Sequence, residues 1–377
     1  MTVGGADTET WLVADIGATN ARFGLISPEK TVLHTRTLAI TDHPTIADAV
    51  TTYLGEREGF PMPRQGALAI ASTITGDRVA MTNHPWSFSI AALKSRLGFE
   101  RLEVINDFTA LALALPHLSP ADRLPIGGGA PSAGTPLGVL GPGSGLGVSG
   151  LIAAGASWIA LAGEGGHVTM APATERESAV LDGMRRHFDH VSAERVLSGP
   201  GLVNLYNTLA ALDGVPSRGY TAAQITNPKI GGADPLCAET VSMFCAMLGT
   251  VAGNLALTLG ARGGIYIGGG IVPRLGQRFA QSPFRARFEA KGRFNEYLAA
   301  IPTWVVTHPL PAFLGCAAVL STEHSRSPRK KMEPGDTEND QRERQQLPSP
   351  SRLAEADDAD RGHDRGADAG PEGISDR

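Results

Sequence analysis

Cysteine is scarce in this sequence of 377 residues, which contains only Cys237, Cys245 and Cys316. Three is an odd number, and no two of these residues form a CxxC pair, which argues against a disulfide framework and against a thiolate zinc site. The sequence therefore predicts that the three side chains are buried as small apolar groups, in a protein of a reducing compartment.

The chain also lacks a strong excess of either charge. It has 33 Lys and Arg residues against 38 Asp and Glu residues, a formal net charge of -5. No run of basic residues forms a strip that could follow a phosphate backbone, so nucleic acid is not an expected partner. The start, MTVGGADTET, lacks the basic and apolar segments of a secretion signal, and we expect no uncharged apolar stretch long enough to span a bilayer. The sequence thus predicts a cytoplasmic protein that binds no membrane.

The C-terminal segment 322–377 lacks aromatic residues altogether. It contains 10 Lys and Arg and 14 Asp and Glu among Pro, Gly, Ser and Gln, which leaves 23 basic and 24 acidic residues in the preceding body. Such a composition cannot bury enough apolar area to offset the entropy of folding. We expect a disordered, solvated tail that carries most of the net charge.

Two common phosphate-binding motifs are missing or incomplete. The chain contains no GxxxxGK[ST], so a phosphate is not held in the Walker manner. Gly145, Gly147 and Gly150 do spell GxGxxG, and Glu164 lies near the spacing expected of a ribose-binding acid. That fingerprint requires a helix after the glycines, whereas LIAAGASWIAL predicts a strand, a tight turn and a second strand. A dehydrogenase is therefore disfavoured.

Strand and helix patterns alternate through the body of the chain. TWLVADIGATNARFGLIS is typical of a β-hairpin, and QGALAIAS and LEVIND are typical of short buried strands. TIADAVTTYLGERE, FSIAALKSRLG and FTALALAL predict helices. After a loop at 127–136, PLGVL and LGVSGLIAAGASWIAL return to strand character. The alternation predicts an α/β protein, and its two glycine-rich hairpins would suit an internally duplicated architecture.

Three glycine-rich loops follow predicted strands. In ADIGATNARFG, Asp15 ends a strand, and the backbone amides of Gly17, Ala18 and Thr19 could cradle an anion, although an ordinary hairpin turn uses the same residues. GPGSGLGVSG has more glycine than a turn needs, so its backbone can approach a bulky ligand, and Ser144 adds a hydroxyl group. GGIYIGGGIVPR is either a plain strand-to-helix turn or a backbone surface for a purine.

Polar residues cluster in loops between these glycine-rich segments. LAGEGGHVTMAP places Glu164 and His167 on a glycine turn, and VSAERVLSGPG places Glu194 before a Gly-Pro break. Taken singly, each would be a solvated surface residue. Together they suggest a polyhydroxy ligand, because carboxylates and amides satisfy sugar hydroxyl groups, whereas a phosphate would demand Arg or Lys. The sequence therefore points to a sugar.

Several long segments resemble one known family. MTNHPWSFSIAALKSRLGF, INDFTALALALP, GPGSGLGV, GEGGHV, SAERVLSGPGLVNLY, GNLALTLG and GGIVPR are similar to the proteobacterial-type, ATP-dependent glucokinases, over a span from about Trp11 to Leu320. The resemblance implies the sugar kinase and actin superfamily fold, with two α/β domains flanking a deep cleft, and a homodimer. On this basis we expect a small domain of residues 9–116 plus 304–321, a large domain of residues 117–303, and the tail 322–377.

The resemblance also implies which residues form the site. The positions that match the family's glucose-binding residues are Asn83, Asn106, Asp107, Glu164, His167 and Glu194. The positions that match its nucleotide-binding loops are Ala14, Asp15, Ile16, Gly17, Ala18, Thr19, Gly143, Ser144, Gly145 and Gly269. Asp15 is expected to face Mg²⁺ through water, Gly269 to lie on the adenosine side, and Asp107 to be the catalytic base.

The residue Asp107 has two interpretations. Phosphoryl transfer from ATP to a hydroxyl group needs positioning, charge neutralisation and a base that accepts the hydroxyl proton, and Asp107 would supply that base. Alternatively, Asp107 directly precedes the helical run FTALALAL and could be its N-cap.

The chain departs from the family pattern in its first glycine-rich loop and in its tail. Ala18 stands where the family usually has a second glycine, and if that position needed a positive φ, nucleotide affinity would be weakened. The tail has no counterpart in the resemblance. The cysteine cluster for zinc found in related sugar kinases of the repressor and open-reading-frame group is absent, so zinc is not expected.

The predicted function is ATP-dependent phosphorylation of glucose at its 6-hydroxyl group, with ATP and Mg²⁺ as cofactors. One alternative is a kinase for another hexose or amino sugar on the same fold. The other is a sugar-binding regulator without catalysis, which would be expected to lack the base or the phosphate loops.

Overall fold

The computed structural model describes residues 9–321, apart from Glu58, Asn83 and Ala156. The predictions about Asn83 and about the tail 322–377 fall outside the described residues. Within them, the chain forms two large mixed sheets and a set of helices that pack on both, as expected of an α/β protein.

The strands predicted from the sequence are all present, in the order expected. The strands of the described residues are β1 (Trp11–Ile16), β2 (Asn20–Ile26), β3 (Val32–Ala39), β4 (Gln65–Ile70), β5 (Arg78–Ala80), β6 (Ser87–Ser89), β7 (Arg101–Asn106), β8 (Arg123–Gly127), β9 (Leu137–Pro142), β10 (Leu146–Ala154), β11 (Ser157–Leu161), β12 (Gly264–Ile267) and β13 (Thr303–Val306). Five of them were not predicted by the sequence analysis, namely β3, β8, β13 and the short β5 and β6, which pair with each other. The strands β10 and β11 form an antiparallel hairpin over the GxGxxG segment, which confirms that no helix follows those glycines.

The helices begin where side chains can cap them. Thr45 accepts a hydrogen bond from the Asp48 amide, and Ser89 accepts one from the Ala92 amide, so the first two predicted helices have side-chain caps. The α-helices are α1 (Ile46–Gly55), α2 (Ile90–Leu97), α3 (Asp107–Ala114), α4 (Glu175–Arg185), α5 (Gly199–Leu212), α6 (Ala222–Thr226), α7 (Pro235–Leu259), α8 (Val272–Leu275), α9 (Gln277–Ala280), α10 (Phe284–Glu289), α11 (Asn295–Ala300) and α12 (Pro311–Ser321).

The first large sheet has the order β3-β2-β1-β4-β7. The strands β1, β4 and β7 run parallel, and Ile16, Ile70 and Asn106 lie level with one another in the register. The chain therefore leaves all three strands at the same edge of the sheet. This common edge brings the residues after β1, β4 and β7 together although they are far apart in sequence.

The second large sheet has the order β11-β10-β9-β12-β13-β8. Its first five strands repeat the arrangement of the first sheet, with three antiparallel strands followed by two parallel ones. The internal duplication suggested by the two glycine-rich hairpins is thus present in the topology. Leu140 and Ile267 are level in the register, so the loops after β9 and β12 also meet at one edge.

The helices α3 and α12 pack against both sheets. Ala110 of α3 and Phe313 of α12 belong to a buried cluster with residues of β1 and β4, whereas Leu111 and Leu314 belong to a cluster with residues of β9, β10 and β12. Both helices are apolar on opposite faces for this reason. They form the layer that connects the two sheets.

The helix α7 corrects one expectation. Its 25 residues are long and apolar enough to cross a membrane by length and composition, contrary to our expectation that no such stretch exists. However, 78% of its most apolar window is buried inside the protein, against α5 and α10 among others. A helix that is apolar on all sides is typical of the core of a large domain as well as of a membrane span.

All three cysteines are free and buried, as predicted. Burial raises the pKa of the Cys237 and Cys245 thiols to about 11, so both remain protonated at neutral pH. These residues therefore act as packing groups.

Candidate active site

A cavity of about 480 Å³ lies where the strand ends of the two sheets meet. It collects residues that sequence analysis assigned to different segments of the chain. The predicted site residues that line it are Asn106, Asp107, Gly143, Ser144, Gly145, Glu164, His167, Glu194 and Gly269. The structure thus brings together the described glucose-binding candidates, the second glycine-rich loop and the third.

A second cavity of about 350 Å³ adjoins the first. Asp15 and Arg22 from the first hairpin line it, together with His308 at the end of β13 and glycines 268–270. Asp107, Phe108 and Gly269 line both cavities. The carboxylate of Asp107 therefore lies where a ligand in one cavity would meet a ligand in the other.

Asp107 is the first residue of α3, and its neighbour Asn106 is the cap. The Asn106 side-chain oxygen accepts hydrogen bonds from the Phe108 amide at 2.9 Å and the Thr109 amide at 3.1 Å. The alternative interpretation of Asp107 as the N-cap is therefore wrong. Asn106 has the backbone conformation and the hydrogen bonds of a cap. Asp107 is therefore not needed as the cap, and one oxygen of its carboxylate is available to a ligand.

The environment of Asp107 raises its proton affinity. One carboxylate oxygen accepts hydrogen bonds from the Phe108 amide at 2.9 Å and from the Asn106 side-chain nitrogen at 3.0 Å. Burial and the negative charge of nearby Asp15 outweigh these bonds and raise the pKa of Asp107 to about 6. An aspartate that titrates near neutral pH is suited to accept a proton.

Asp15 lies near the end of β1, opposite Arg22 of β2 in the hairpin register. An Arg22 guanidinium nitrogen approaches the Asp15 carboxylate at 3.4 Å, with half of the arginine side chain exposed. Burial raises the pKa of Asp15, and the Arg22 charge opposes that shift. Arg22 was not among the predicted site residues, although its cross-strand pairing with Asp15 follows from the predicted hairpin.

The first glycine-rich loop differs in detail from the expected anion cradle. The Gly17 amide donates to the Asn20 carbonyl oxygen at 3.0 Å, so it is committed to the turn and only the amides of Ala18 and Thr19 remain as candidates. Residues 17–19 do not line either cavity in the structure. Ala14 and Ile16 are fully buried in the core, so their side chains cannot reach a nucleotide.

The alanine in this loop is compatible with its backbone. Among the described residues that are not glycine, only Lys30 has a positive φ, so Ala18 is not forced into a left-handed conformation. The condition under which nucleotide affinity would be weakened is therefore not met.

The second glycine-rich loop is held at the N-terminus of α5. The Gly143 amide donates to the Gly145 carbonyl oxygen, and the Gly143 oxygen accepts from the Gly199 amide, both at 2.8 Å. The carboxylate of Glu194 accepts from the Leu146 amide at 2.8 Å. A Cβ on Gly145 would lie 2.4 Å from that carboxylate, so a side chain here would require the Glu194 carboxylate to shift from its present position.

The third glycine-rich loop packs directly on the second. Gly269 has a φ of 76°, and a Cβ there would lie 2.3 Å from the Pro142 carbonyl oxygen. A Cβ on Gly141 would lie 2.6 Å from the carbonyl carbon of Gly268. The close approach of two backbones therefore explains these glycines, whether or not a purine also lies on them.

Glu164 precedes a single 3-10 turn after β11, and His167 is the last residue of that turn. Both side chains are exposed and line the larger cavity. The Thr73 hydroxyl group donates to the Glu164 carboxylate at 2.6 Å. Thr73 follows β4, and sequence analysis missed it. The feature that could have pointed to Thr73 is the parallel pairing of β4 with β7, because residues that follow two parallel strands lie at the same edge of the sheet.

The duplicated sheets, the connecting helices α3 and α12, and the cavity at the strand ends define a protein of the sugar kinase and actin superfamily fold. Its site has a titratable carboxylate, that of Asp107, at the junction of two adjoining cavities.

Comparisons with known proteins identify the family within this class. The family model described as glucokinase matches residues 12–323. The chain is 56% identical over 311 residues to a glucokinase of Paramagnetospirillum magneticum, covering 82% of this chain and 97% of that protein. It is 52% identical over 321 residues to a glucokinase of Aromatoleum aromaticum, covering 85% of this chain and 97% of that protein. The chain belongs to the glucokinase family.

A solved structure supports the same assignment. The crystal structure of a glucokinase from an Antarctic psychrotroph is similar with a TM-score of 0.76 at 37% identity, covering 83% of this chain and 99% of that one. The similarity thus extends over nearly the whole of that enzyme.

Proposed function

We propose that this protein transfers the terminal phosphoryl group of ATP to the 6-hydroxyl group of glucose, giving glucose 6-phosphate and ADP. The observation that carries the proposal is the position of Asp107 between the two adjoining cavities, with a pKa raised to about 6. At neutral pH the carboxylate is mostly ionised and can accept the hydroxyl proton as the oxygen–phosphorus bond forms.

The larger cavity is the proposed glucose site. It is lined by Glu164, His167 and Glu194, whose side chains offer hydrogen-bond acceptors and donors. Such a lining suits a sugar, because each sugar hydroxyl group can both donate and accept a hydrogen bond. Asn106 lines it too, but two of its hydrogen bonds serve the cap of α3, so we assign it a role in fixing Asp107 as well as in contacting sugar. Asn83 remains a proposal from the family resemblance alone.

The proposed phosphate site lies where the two cavities adjoin, beside the second glycine-rich loop, which lines the larger cavity. The loop at 143–145 lies against the first turn of α5, a helix of 14 residues whose N-terminal amides and dipole favour an anion. Arg22 adds a cation to the second cavity, beside Asp15. These groups would offset the charge of the transferring phosphoryl group.

The residues present fit a magnesium ion bound mainly through the nucleotide. Asp15 and Asp107 are close enough for the charge of one to raise the pKa of the other, which leaves negative charge that a cation would neutralise. Mg²⁺ typically keeps several waters and takes one or two carboxylates plus substrate phosphates, so Asp15 would hold it, through water. When bound, the ion would neutralise charge on the phosphates.

We further propose the domain organisation expected from the family. Residues 9–116 plus 304–321 would form the small domain around the first sheet, and residues 117–303 the large one around the second, with residues 304–306 of β13 remaining paired in the second sheet. The chain would function as a cytoplasmic homodimer in glycolysis. The three free, buried cysteines support a reducing compartment, and sedimentation of the purified protein tests the dimer.

A coupled assay of the purified full chain across a panel of hexoses, with and without Mg²⁺, tests the function. We expect ATP-dependent turnover with glucose at the highest kcat/KM and none without Mg²⁺. Higher kcat/KM with mannose or glucosamine would favour the alternative hexose or amino-sugar kinase. Glucose binding without turnover of any hexose would favour the regulator.

Two variants test the assignment of the sugar cavity. Glu164→Ala and His167→Ala should each raise the KM for glucose far more than the KM for ATP, because unpaired polar groups in a ligand site cost about 1–3 kcal/mol each. Glu296→Ala, which removes an exposed glutamate from α11, is the control and should change neither constant. Equal losses for both substrates would point to general destabilisation instead.

A further inference from the structure

The hydroxyl group of Thr73 joins the two sides of the sugar cavity. Thr73 follows β4 of the first sheet, and Glu164 follows β11 of the second, 91 residues away. The hydrogen bond between them is 2.6 Å long, which is typical of a hydroxyl group that donates to an ionised carboxylate. Both residues line the proposed glucose site.

We propose that Thr73 is a positioning residue that orients the Glu164 carboxylate for the sugar and links the two sheets across the cavity. The inference rests on the proposed function, in which Glu164 binds glucose. It assigns to Thr73 a task that the sequence resemblance does not.

The segment that carries Thr73 is itself fixed. Ser72 is buried, and its hydroxyl group donates to the Ala80 carbonyl oxygen at 2.7 Å. The side-chain nitrogen of Asn106 donates to the Ser72 carbonyl oxygen at 3.3 Å and to the Asp107 carboxylate at 3.0 Å. Hydrogen bonds thus connect the proposed base, through Asn106, to Ser72, the residue before Thr73. This network holds the Thr73 hydroxyl group in a defined place relative to Asp107.

Glu164 needs such a partner more than Glu194 does. Glu194 is partly buried, and the Leu146 amide fixes one of its oxygens at 2.8 Å. Glu164 is exposed on a loop, where a long side chain has several rotamers to lose when it binds a ligand. Because Thr73 occupies only Oε1, the other oxygen of Glu164 can still accept a sugar hydroxyl group. Orientation before binding reduces the entropy lost on binding.

The test compares Thr73→Val with Thr73→Ser in the full-length protein. Valine keeps the shape and removes the donor, so the KM for glucose should rise about tenfold, consistent with the loss of one hydrogen bond to a charged group. The KM for ATP should stay unchanged and kcat should stay within about twofold, because a contact equal in ground and transition states affects only KM. Serine restores the hydroxyl group and should restore the KM for glucose.

The matched control is Thr51→Val. Thr51 donates to the Ala47 carbonyl oxygen at 2.7 Å on α1, outside both cavities, so this substitution should leave both KM values unchanged. In a double-mutant cycle, Thr73→Val should add little to Glu164→Gln if Thr73 acts through Glu164. Additive effects would overturn the inference.

Three further outcomes would also overturn it. The first is an unchanged KM for glucose in Thr73→Val. The second is a lower KM for glucose in that variant, which would mean that the hydroxyl group competes with the sugar for Glu164. The third is a failure of Thr73→Ser to keep the wild-type KM for glucose. Glucose calorimetry on the same variants reports on Thr73 independently of turnover. A wild-type protein that binds glucose but does not phosphorylate it would therefore refute the proposed function and still test Thr73.

Discussion

Asn106 and Asp107 are adjacent polar residues with different tasks. The side chain of Asn106 satisfies two amides at the start of α3 and also supports the Asp107 carboxylate. Asp107 contributes to the first turn of the helix but is not needed to cap it. This division lets the chemistry of Asp107 be tested without breaking the helix.

Asp107→Asn should lower kcat by roughly 10²- to 10⁴-fold, because asparagine cannot accept the hydroxyl proton. Glucose affinity measured by calorimetry should largely survive, because size and hydrogen-bonding capacity are kept. Glu175→Gln is the matched control, since Glu175 is also the first residue of a capped helix but is exposed and lies outside both cavities. An Asp107→Asn protein that turns over within a few-fold of wild type would remove Asp107 from the mechanism.

The same variant should not lose thermal stability at neutral pH. The folded protein raises the pKa of Asp107 from 3.8 to about 6, so the carboxyl group binds its proton more tightly in the folded than in the unfolded state. Stability is therefore lost as the pH rises from 3.8 to about 6, and the whole of this loss is present above pH 6. The melting temperature of Asp107→Asn should equal or exceed that of wild type at pH 7.5, and any gain should shrink towards pH 5.

The pH dependence of turnover should report the same group. If Asp107 must be ionised, kcat/KM for glucose should fall on the acid side with an apparent pKa of about 6, losing nearly tenfold per pH unit below it. Initial rates between pH 5 and 8, with the coupling enzymes in excess at each pH, measure this limb. A flat profile down to pH 5 would contradict both the pKa and the role of the residue.

At the scale of elements, the close contact of α3 with α12 connects the two sheets. Gly315 of α12 lies so close to α3 that a Cβ would meet the Ala110 carbonyl oxygen at 1.8 Å. Backbone atoms cannot move aside as a flexible side chain can. The two helices must therefore separate if any side chain is added at this position.

Gly315→Ala should destabilise the protein by about 1–3 kcal/mol, the usual cost of overpacking a core, and should lower the melting temperature. Gly55→Ala is the control within a helix, because Gly55 in α1 has open space around it and the same substitution there should be neutral or stabilising by up to about 1 kcal/mol. If both variants melted alike, the close approach of α3 and α12 would not limit stability.

At the scale of the whole molecule, the family similarity ends just after the last helix. The glucokinase family model stops at residue 323, and α12 ends at Ser321. Arg101 of β7 donates to the Val319 and Leu320 carbonyl oxygens, each at 2.9 Å. These bonds satisfy two carbonyl groups in the last turn of α12 and attach that turn to the first sheet. These bonds give the body of the protein its own C-terminal boundary.

A chain truncated after Ser321 should keep the kcat and the melting temperature of the full chain nearly unchanged. The deleted segment has a composition with little apolar area to bury, and the bonds from Arg101 lie before the cut. The assay and the melting curve of the two proteins, purified in parallel, check this. A large loss of either property would show that residues 322–377 pack on the body or take part in the site.

The sequence by itself determined the local features of this protein. The hairpin of β1 and β2, the strands β4 and β7, the capped helices α1 and α2, and the hairpin that excludes a dinucleotide fingerprint were all predictable. These features depend on interactions between residues close in the chain, such as caps, turns and alternating apolar positions. The long motifs shared with the glucokinases were also enough to predict the fold.

Tertiary structure alone decided how these pieces meet. It could not be read from spacing that Thr73 bonds to Glu164, that the Glu194 carboxylate lies against Gly145, or that Asn106 rather than Asp107 caps α3. The membrane-like composition of α7 likewise acquired its meaning only from its burial in the core. In each case the decisive partner is remote in sequence or depends on the exact backbone angle, and local patterns contain no information about either. Sequence thus specified the elements, and the pairing of parallel strands at a common edge specified the site.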